Sequence, residues 1–320
     1  MERPARAVRV ARTTRAFRVA FVAVLAGALL GTAPGAAPTR TDAAPTRTDA
    51  ARTDAARTGA SRAGAAAPGP SAGASLGAGP PRVHFRGWAF DTCETPPLAT
   101  MRAWRASKYR AVGVYYAGRG RGCPVQRHLD RRWVKAVHRM GWRIIPVYVG
   151  SQSPCVYARH KRGARVGPRP WSQGEREARH AVREARALGL GRGSALYLDI
   201  EAYEHRNARC ATETLRYVRG WNRELRALGF EPGYYSSAES GVRHMERARK
   251  ARIADLPTVM WFARWHIGPS VHREPALHPT AWQPRRRIHQ YAGNVAERHG
   301  GRRLVIDRNR VDAIVARVGR

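Results

Sequence analysis

Lysine is almost missing from this chain: four of its 58 basic residues are Lys, the rest are Arg, and Asp and Glu together number only 23 in 320 residues. The resulting net charge of +35 is spread along the sequence, with eleven Arg and four acidic residues in the first eighty and no block or period beyond them. Such a spread fits a coding bias towards Arg and Ala, or an anionic polymer as partner, and both nucleic acid and an anionic cell wall carry the right charge. Cysteine is as sparse: there are four, with no Cys-x-x-Cys pair and no His-Glu-x-x-His helix, so the common zinc frameworks are excluded and neither a metal nor another cofactor is expected. No glycine-rich turn follows the first strand-like run. Gly118-Arg-Gly-Arg-Gly122 and Gly189-Leu-Gly-Arg-Gly193 stand in the wrong places for a phosphate cradle, which argues against nucleotide binding.

Long apolar runs are also few. The first, Val19 to Leu30, is twelve residues long, preceded by several Arg and followed by the small residues and prolines of GTAPGAAP. It is too short for a span of ordinary thickness and has the anatomy of a signal peptide, expected over residues 1–36; a lone membrane anchor is the alternative. Thr14-Arg15-Ala16-Phe17 lacks the arginine pair of a twin-arginine signal, so the general export route is expected, and with it a secreted or wall-associated protein. From Ala37 the chain repeats APTRTDA and ARTDA and then runs through Gly, Ala, Ser and Pro to Pro81. With almost nothing large and apolar to bury, residues 37–81 read as a disordered linker. Gly69 to Gly73 (GPSAG) matches the hydrolase elbow pattern there without the strand and helix that an elbow needs.

From Phe85 on, apolar runs alternate with amphipathic stretches. The strand candidates are residues 85–91, 109–118, 142–150, 194–201, 231–237, 258–265, 287–293 and 303–309, with helices between them that stop at Gly141, Gly189 and Gly229. The second of these helices opens on a Ser172-x-x-Glu175 capping box. Eight strands in series over residues 82–320 predict an α/β chain with a (β/α)8 TIM barrel, and an open doubly wound sheet is the alternative.

Within the fourth run, ALYLDIEAY, Asp199 and Glu201 stand two residues apart inside an apolar segment. In a strand, Tyr197, Asp199 and Glu201 share one side, while Leu198 and Ile200 take the other and pack on helices. The acids then face the barrel axis at the carboxyl end of the strand, where barrel enzymes keep their chemistry. Asp91 closes the first run and Asp307 the last, although Asp307-Arg308-Asn309 could equally cap a final helix. Carboxylates crowded in a cleft raise one another's pKa, and glycoside hydrolysis needs such a set: one acid to protonate the leaving oxygen, another to steady or attack the oxocarbenium centre. Trp265, Tyr148, Tyr235 and Tyr291 lie near strand ends where a sugar face could stack, and Gln290 could bond a hydroxyl or acetamido group. His289 is the one histidine near the mouth, and a structural hydrogen bond is its expected role.

In order, GWAFDTC, VGVYYAG, IIPVYVG, LYLDIEAY, PGYYSS, WFARW, HQYAG and IDRN make the chain resemble the secreted actinobacterial glycoside-hydrolase-like TIM-barrel family, first catalogued as a domain of unknown function and related to the family-25 (Chalaropsis-type) lysozymes. The resemblance covers residues 85–320. It implies a barrel that acts on or binds glycan of the bacterial envelope, with Glu201 as general acid and Asp199 and Asp91 as partners that orient substrate or steady positive charge. Cys93, Cys123, Cys155 and Cys210 each follow one of the first four strands, so all should gather at one face; of three pairings, Cys93 with Cys123 and Cys155 with Cys210 join neighbouring loops. The leading expectation is a secreted, monomeric glycoside hydrolase of peptidoglycan or a related N-acetylated polymer. A non-catalytic barrel that binds wall glycan or an anionic wall polymer is the alternative; nucleic-acid binding has the charge but no motif and conflicts with export.

Overall fold

A computed structural model describes residues 80–319; the expected signal peptide and nearly all of the expected linker, with its elbow-like pentapeptide, lie outside them. Eight strands close into a barrel in chain order: β1 (Val83–Asp91), β2 (Tyr109–Ala117), β3 (Arg143–Tyr148), β4 (Ala195–Asp199), β5 (Glu231–Ser237), β6 (Val259–Ala263), β7 (Arg287–His299) and β8 (Arg302–Val315). The α/β barrel and all eight strands are therefore where the apolar runs place them, and the open sheet is excluded.

Strand–helix alternation holds only for the first five strands, which are followed by α1 (Leu98–Ala103), α2 (Arg131–Arg139), α3 (Pro170–Ala187), α4 (Ala208–Ala227) and α5 (Arg243–Lys250). After β6, residues 264–286 carry Pro269, Pro275, Pro279 and Pro284, each of which removes a helical donor, and no helix forms. Between β7 and β8 stand only Gly300 and Gly301, both at positive φ, making a two-residue hairpin. Strand β8 consequently runs antiparallel to both β7 and β1, whereas every other neighbouring pair is parallel. Among the described residues no helix follows β8 for Asp307 to cap. The capping box is also displaced: α3 starts at Pro170, the proline serving as a first-turn residue whose missing N–H costs nothing, and Ser172 lies inside the helix.

Alternation along each strand divides the core into two layers. Ala89, Ala111, Ile145, Val147, Ala195, Tyr197, Trp261, Ile288 and Val311 fill the barrel. Phe90, Val112, Ile144, Tyr148, Leu196, Leu198, Ile200 and Phe262 pack outward, many of them against helix residues such as Trp133, Val182, Trp221 and Met245. Each fully buried large apolar side chain contributes about 1.5–3 kcal/mol. Inside the barrel, room is made by residues without a side chain: a Cβ on Gly113 would lie 2.6 Å from Asp91 Cβ, and one on Gly233 2.4 Å from the Tyr197 ring. Gly113 is the register partner of Asp91, so the space around that carboxyl is built into β2.

Candidate active site

The carboxyl ends of the parallel strands surround a cavity of about 490 Å³ whose lining includes Asp91, Tyr115, Lys161, Asp199, Glu201, Tyr235, Trp265, Asn294 and Asp307. All four acids singled out from the sequence thus converge, but Asp307 arrives by a different route from the one expected. Because β8 is antiparallel, its middle, not its end, passes the mouth, and Asp307 falls directly opposite Asp91 in the β1–β8 register.

The floor is a hydrogen-bonded set. Asp91, 1% exposed, accepts from the Tyr115 hydroxyl at 2.6 Å, from Asn309 Nδ2 at 2.7 Å and from Gln290 Nε2 at 3.3 Å. The same Gln290 nitrogen reaches Asp307 Oδ2 at 3.3 Å, while Asp307 Oδ1 accepts from the Asn294 amide at 2.7 Å. Burial, and after it the charge of Asp307, push the Asp91 carboxyl up to about 7, against the opposing pull of its three donors. Asp307 is raised as well, mainly by burial and then by Glu201, with the Asn294 amide working the other way.

Asp199 and Glu201 project from the end of β4. Asp199 is 4% exposed, and its Oδ1 is buried without a hydrogen-bond partner. Burial holds its pKa well above the usual carboxylate range; Glu201 and Asp91 add to this and Lys161 offsets part. Glu201 is more open, with 34% of its side chain exposed, and its Oε1 lies 3.5 Å from Lys161 Nζ. Towards β3, the two residues are held at the backbone by a single side chain. Gln152 Nε2 donates to the Asp199 carbonyl at 2.8 Å, and Gln152 Oε1 accepts from the Glu201 amide at 2.8 Å. Backbone pairing of β3 with β4 ends at Tyr148 and Leu198, so the amide of Gln152 stands in for the next rung of the ladder.

The other expected contacts divide by strand face. Trp265 and Tyr235 line the cavity, and Trp265 is 39% exposed. Both also anchor Gln290: the Tyr235 hydroxyl donates to Gln290 Oε1 at 2.9 Å and Trp265 Nε1 to the same oxygen at 3.1 Å. With all these bonds made inside the protein and 1% exposure, Gln290 orients the carboxylates and is not free to meet a sugar. Tyr148 and Tyr291 do not reach the cavity. Tyr148 points to the helices, its hydroxyl 3.1 Å from His180 Nδ1 and its ring 4.9 Å from that of Trp221. Tyr291 follows an inward residue and so faces out, 5.9 Å from the Trp88 ring. His289 shares that outward face, buried on Phe262 with its ring nitrogens near the Arg264 carbonyl and the Ser270 amide.

Disulfides join Cys93 to Cys123 and Cys155 to Cys210, with Cα separations of 5.7 and 5.9 Å, and Cys93 and Cys123 line the cavity wall. Among the described residues no group of His, Cys, Asp and Glu is arranged to hold a metal ion, and no helix is long and apolar enough to cross a membrane. Sequence reasoning passed over Tyr115, Gln152, Lys161 and Asn309. Tyr115 and Asn309 carried a signal, since Asn309 shares a strand face with Asp307 and Tyr115 sits in the VGVYYAG run; Gln152, in a loop, carried none.

Over residues 102–311 the sequence matches the family described as Rv2525c-like, glycoside hydrolase-like domain. The chain belongs to that family. Among solved structures, this Rv2525c-like chain is similar to the Mycobacterium tuberculosis Tat-secreted protein Rv2525c in complex with L-tartrate, at 17% identity over 71% of this chain and 96% of that one, with a TM-score of 0.49. It is similar to the Clostridium perfringens spore cortex lytic enzyme SleM at 12% identity over 71% and 67% of the two chains, TM-score 0.47. For the modular autolysin LytC of Streptococcus pneumoniae the figures are 12% identity, 70% and 46% coverage and a TM-score of 0.43. Among curated proteins none matches.

Proposed function

We propose that this protein is an exported, monomeric glycoside hydrolase acting on bacterial cell-wall glycan, peptidoglycan or a related N-acetylated polysaccharide. The observation that carries the proposal is the meeting of Asp91, Asp199, Glu201 and Asp307 in one cavity open to solvent. In this reading Glu201, the most exposed member of the β4 pair, hands a proton to the bridging oxygen of a glycosidic bond. Asp199 and Asp91 face the sugar ring, where the protonated form that their raised pKa values favour orients the substrate and the ionised form steadies the positive charge that develops as the bond breaks. Trp265 and Tyr235 offer ring faces for stacking, and Asp307 accepts from a hydroxyl. Rv2525c is by its name a Tat-secreted protein, and the LytC structure is also known with a synthetic peptidoglycan ligand; both agree with a wall substrate outside the cytoplasm.

A second reading rests on Lys161, whose ammonium already occupies Glu201 Oε1. A pocket with that oxygen engaged could hold a wall glycan without cutting it. The two readings separate on Glu201→Gln. A hydrolase loses its release of reducing ends from purified cell walls by about a hundredfold or more, with unchanged thermal unfolding; equal release by wild type and variant overturns the catalytic assignment. Retention on walls by both proteins with no soluble fragments from either supports the binding barrel.

A further inference from the structure

Beside the acidic cavity lies a turn of the opposite sign. Arg159, His160, Lys161 and Arg162 are four consecutive basic residues in the 3-10 turn Arg159–Ala164, which follows β3. Lys161 points inward to Glu201 and the Gly120 carbonyl, the latter at 2.7 Å. Arg159, His160 and Arg162 are exposed, and among the described residues none of the three has a carboxylate within ion-pair distance. His160 lines the cavity itself, so the basic rim and the acidic floor belong to one surface.

Arginine is everywhere on this protein, and what distinguishes these is the way their backbone is fixed. The Gln152 amide donates to the Ala164 carbonyl and the Gln152 carbonyl accepts from the Val166 amide, both at 2.8 Å. Arg119 closes the far side of the turn, donating to the Arg165 carbonyl at 2.7 Å and the Gly163 carbonyl at 3.3 Å. Gln152 also holds Asp199 and Glu201. One buried residue therefore ties the two together, its main chain holding the end of the turn that carries the basic side chains and its side chain holding the backbone of the carboxylates, which is the arrangement a pre-organised recognition site requires.

We propose that the Arg159–Arg162 turn is an anion-recognition rim that selects glycan carrying free carboxylates on its substituents over neutral glycan. This inference rests on the cavity being the glycan site, as argued above. Planar guanidinium groups bind carboxylates through paired N–H donors, and the carboxylate has to project from the sugar lying over His160 to reach Arg159 and Arg162. The sugar meets the floor while its anionic arm meets the rim.

The test uses the full chain carrying Glu201→Gln, so that ligand is not consumed, and two forms of one N-acetylglucosaminyl–N-acetylmuramyl peptide oligomer: one with free peptide carboxylates, one with those carboxylates amidated. Isothermal titration at low salt should give about tenfold tighter binding of the free-acid form, with the difference shrinking at high salt as rim charges are screened. Adding Arg159→Gln and Arg162→Gln should bring the two ligands to equal affinity and leave that of the amidated form unchanged. Equal binding of both ligands before those changes, or a preference that survives them, overturns the rim while leaving the cavity as the glycan site. Failure of both ligands to bind overturns the cavity reading and the rim with it.

Discussion

Asp91 offers the most direct test of the site's electrostatics. A buried carboxyl whose pKa is raised from 3.8 to about 7 binds its proton more tightly in the folded chain than in the unfolded one. Between those two values the folded state holds the proton and the unfolded state does not. The contribution of Asp91 to stability is therefore complete at low pH and is lost as pH rises through the window, levelling off above about 7. From pH 5 to 7 the loss is about 2 kcal/mol, because the slope of about 1.4 kcal/mol per unit fades as the folded group itself ionises near pH 7. Histidines act in the opposite sense. Burial lowers His244 to about 4, so protonation of the unfolded chain erodes stability as pH falls below 6.5, and His84, His205 and His289 are lowered too. The raw pH profile mixes the two. The difference between wild type and Asp91→Asn removes the histidine part, because every histidine is common to both proteins, and leaves Asp91 with the carboxylates coupled to it. Asn can take the place of the protonated acid: its oxygen accepts from Asn309 and Gln290, and its amide donates to the oxygen of Tyr115, whose hydroxyl rotates away. Relative to wild type, Asp91→Asn should gain about 3 kcal/mol on going from pH 5 to pH 8, or about 6–12 °C in unfolding midpoint. Denaturation of both proteins across that range reads the number. A difference that stays flat with pH, or grows in the other direction, refutes a raised carboxyl at Asp91.

Gln152→Ala leaves the Asp199 carbonyl and the Glu201 amide without their partner in a buried place and should cost about 2–5 kcal/mol in urea denaturation, together with most wall-glycan release; Gln152→Glu, which cannot donate to the carbonyl when ionised, should not restore release. Tyr148→Phe removes only the contact to His180 on the helix side, so release from walls should be unchanged and stability should fall by less than about 1 kcal/mol; a large loss of release would give that hydroxyl a part in the cavity after all.

Much of the barrel was legible because most of its strands are buried on both faces and all eight contain an apolar run. What escaped was the direction of the last strand. Gly300-Gly301 between two strand-like runs is a hairpin signal, and counting strands without weighing that turn led to a strict repeat of strand and helix. Side-chain parity was equally available and only partly used. It placed Asp199 and Glu201 opposite Leu198 and Ile200, as found. Applied to HQYAG, it would have shown that Gln290 and Tyr291, being adjacent, cannot both face the cavity. Gln152 had no such signature, because its place is set by a loop that returns to β4 from outside the strand pattern.

The hairpin also explains how the site is assembled. In a barrel of eight parallel strands, β1 and β8 would present their ends to the same mouth, each with one residue at the rim. Here β7 and β8 run on past the barrel as a two-stranded ribbon whose far end reaches the turn after α1, where the Arg302 carbonyl accepts from Trp104 Nε1 at 3.0 Å. Because β8 returns through the mouth in mid-strand, it supplies two consecutive inward positions, Asp307 and Asn309, to the floor beneath the cavity. Asn309 then bonds both Asp91 and, through Oδ1, the indole of Trp261 at 2.8 Å. The carboxylate at the end of β1 is fixed by backbone pairing on both sides, and that of β8 by its pairing with Asp91 and by the Asn294 amide across a bulge in the β7–β8 ladder, whereas β4 is paired at Asp199 with β5 and depends on the side chain of Gln152 towards β3. Substitution of Gln152 should therefore disturb Asp199 and Glu201 while leaving Asp91 and Asp307 in place, and the raised pKa of Asp91 should survive it.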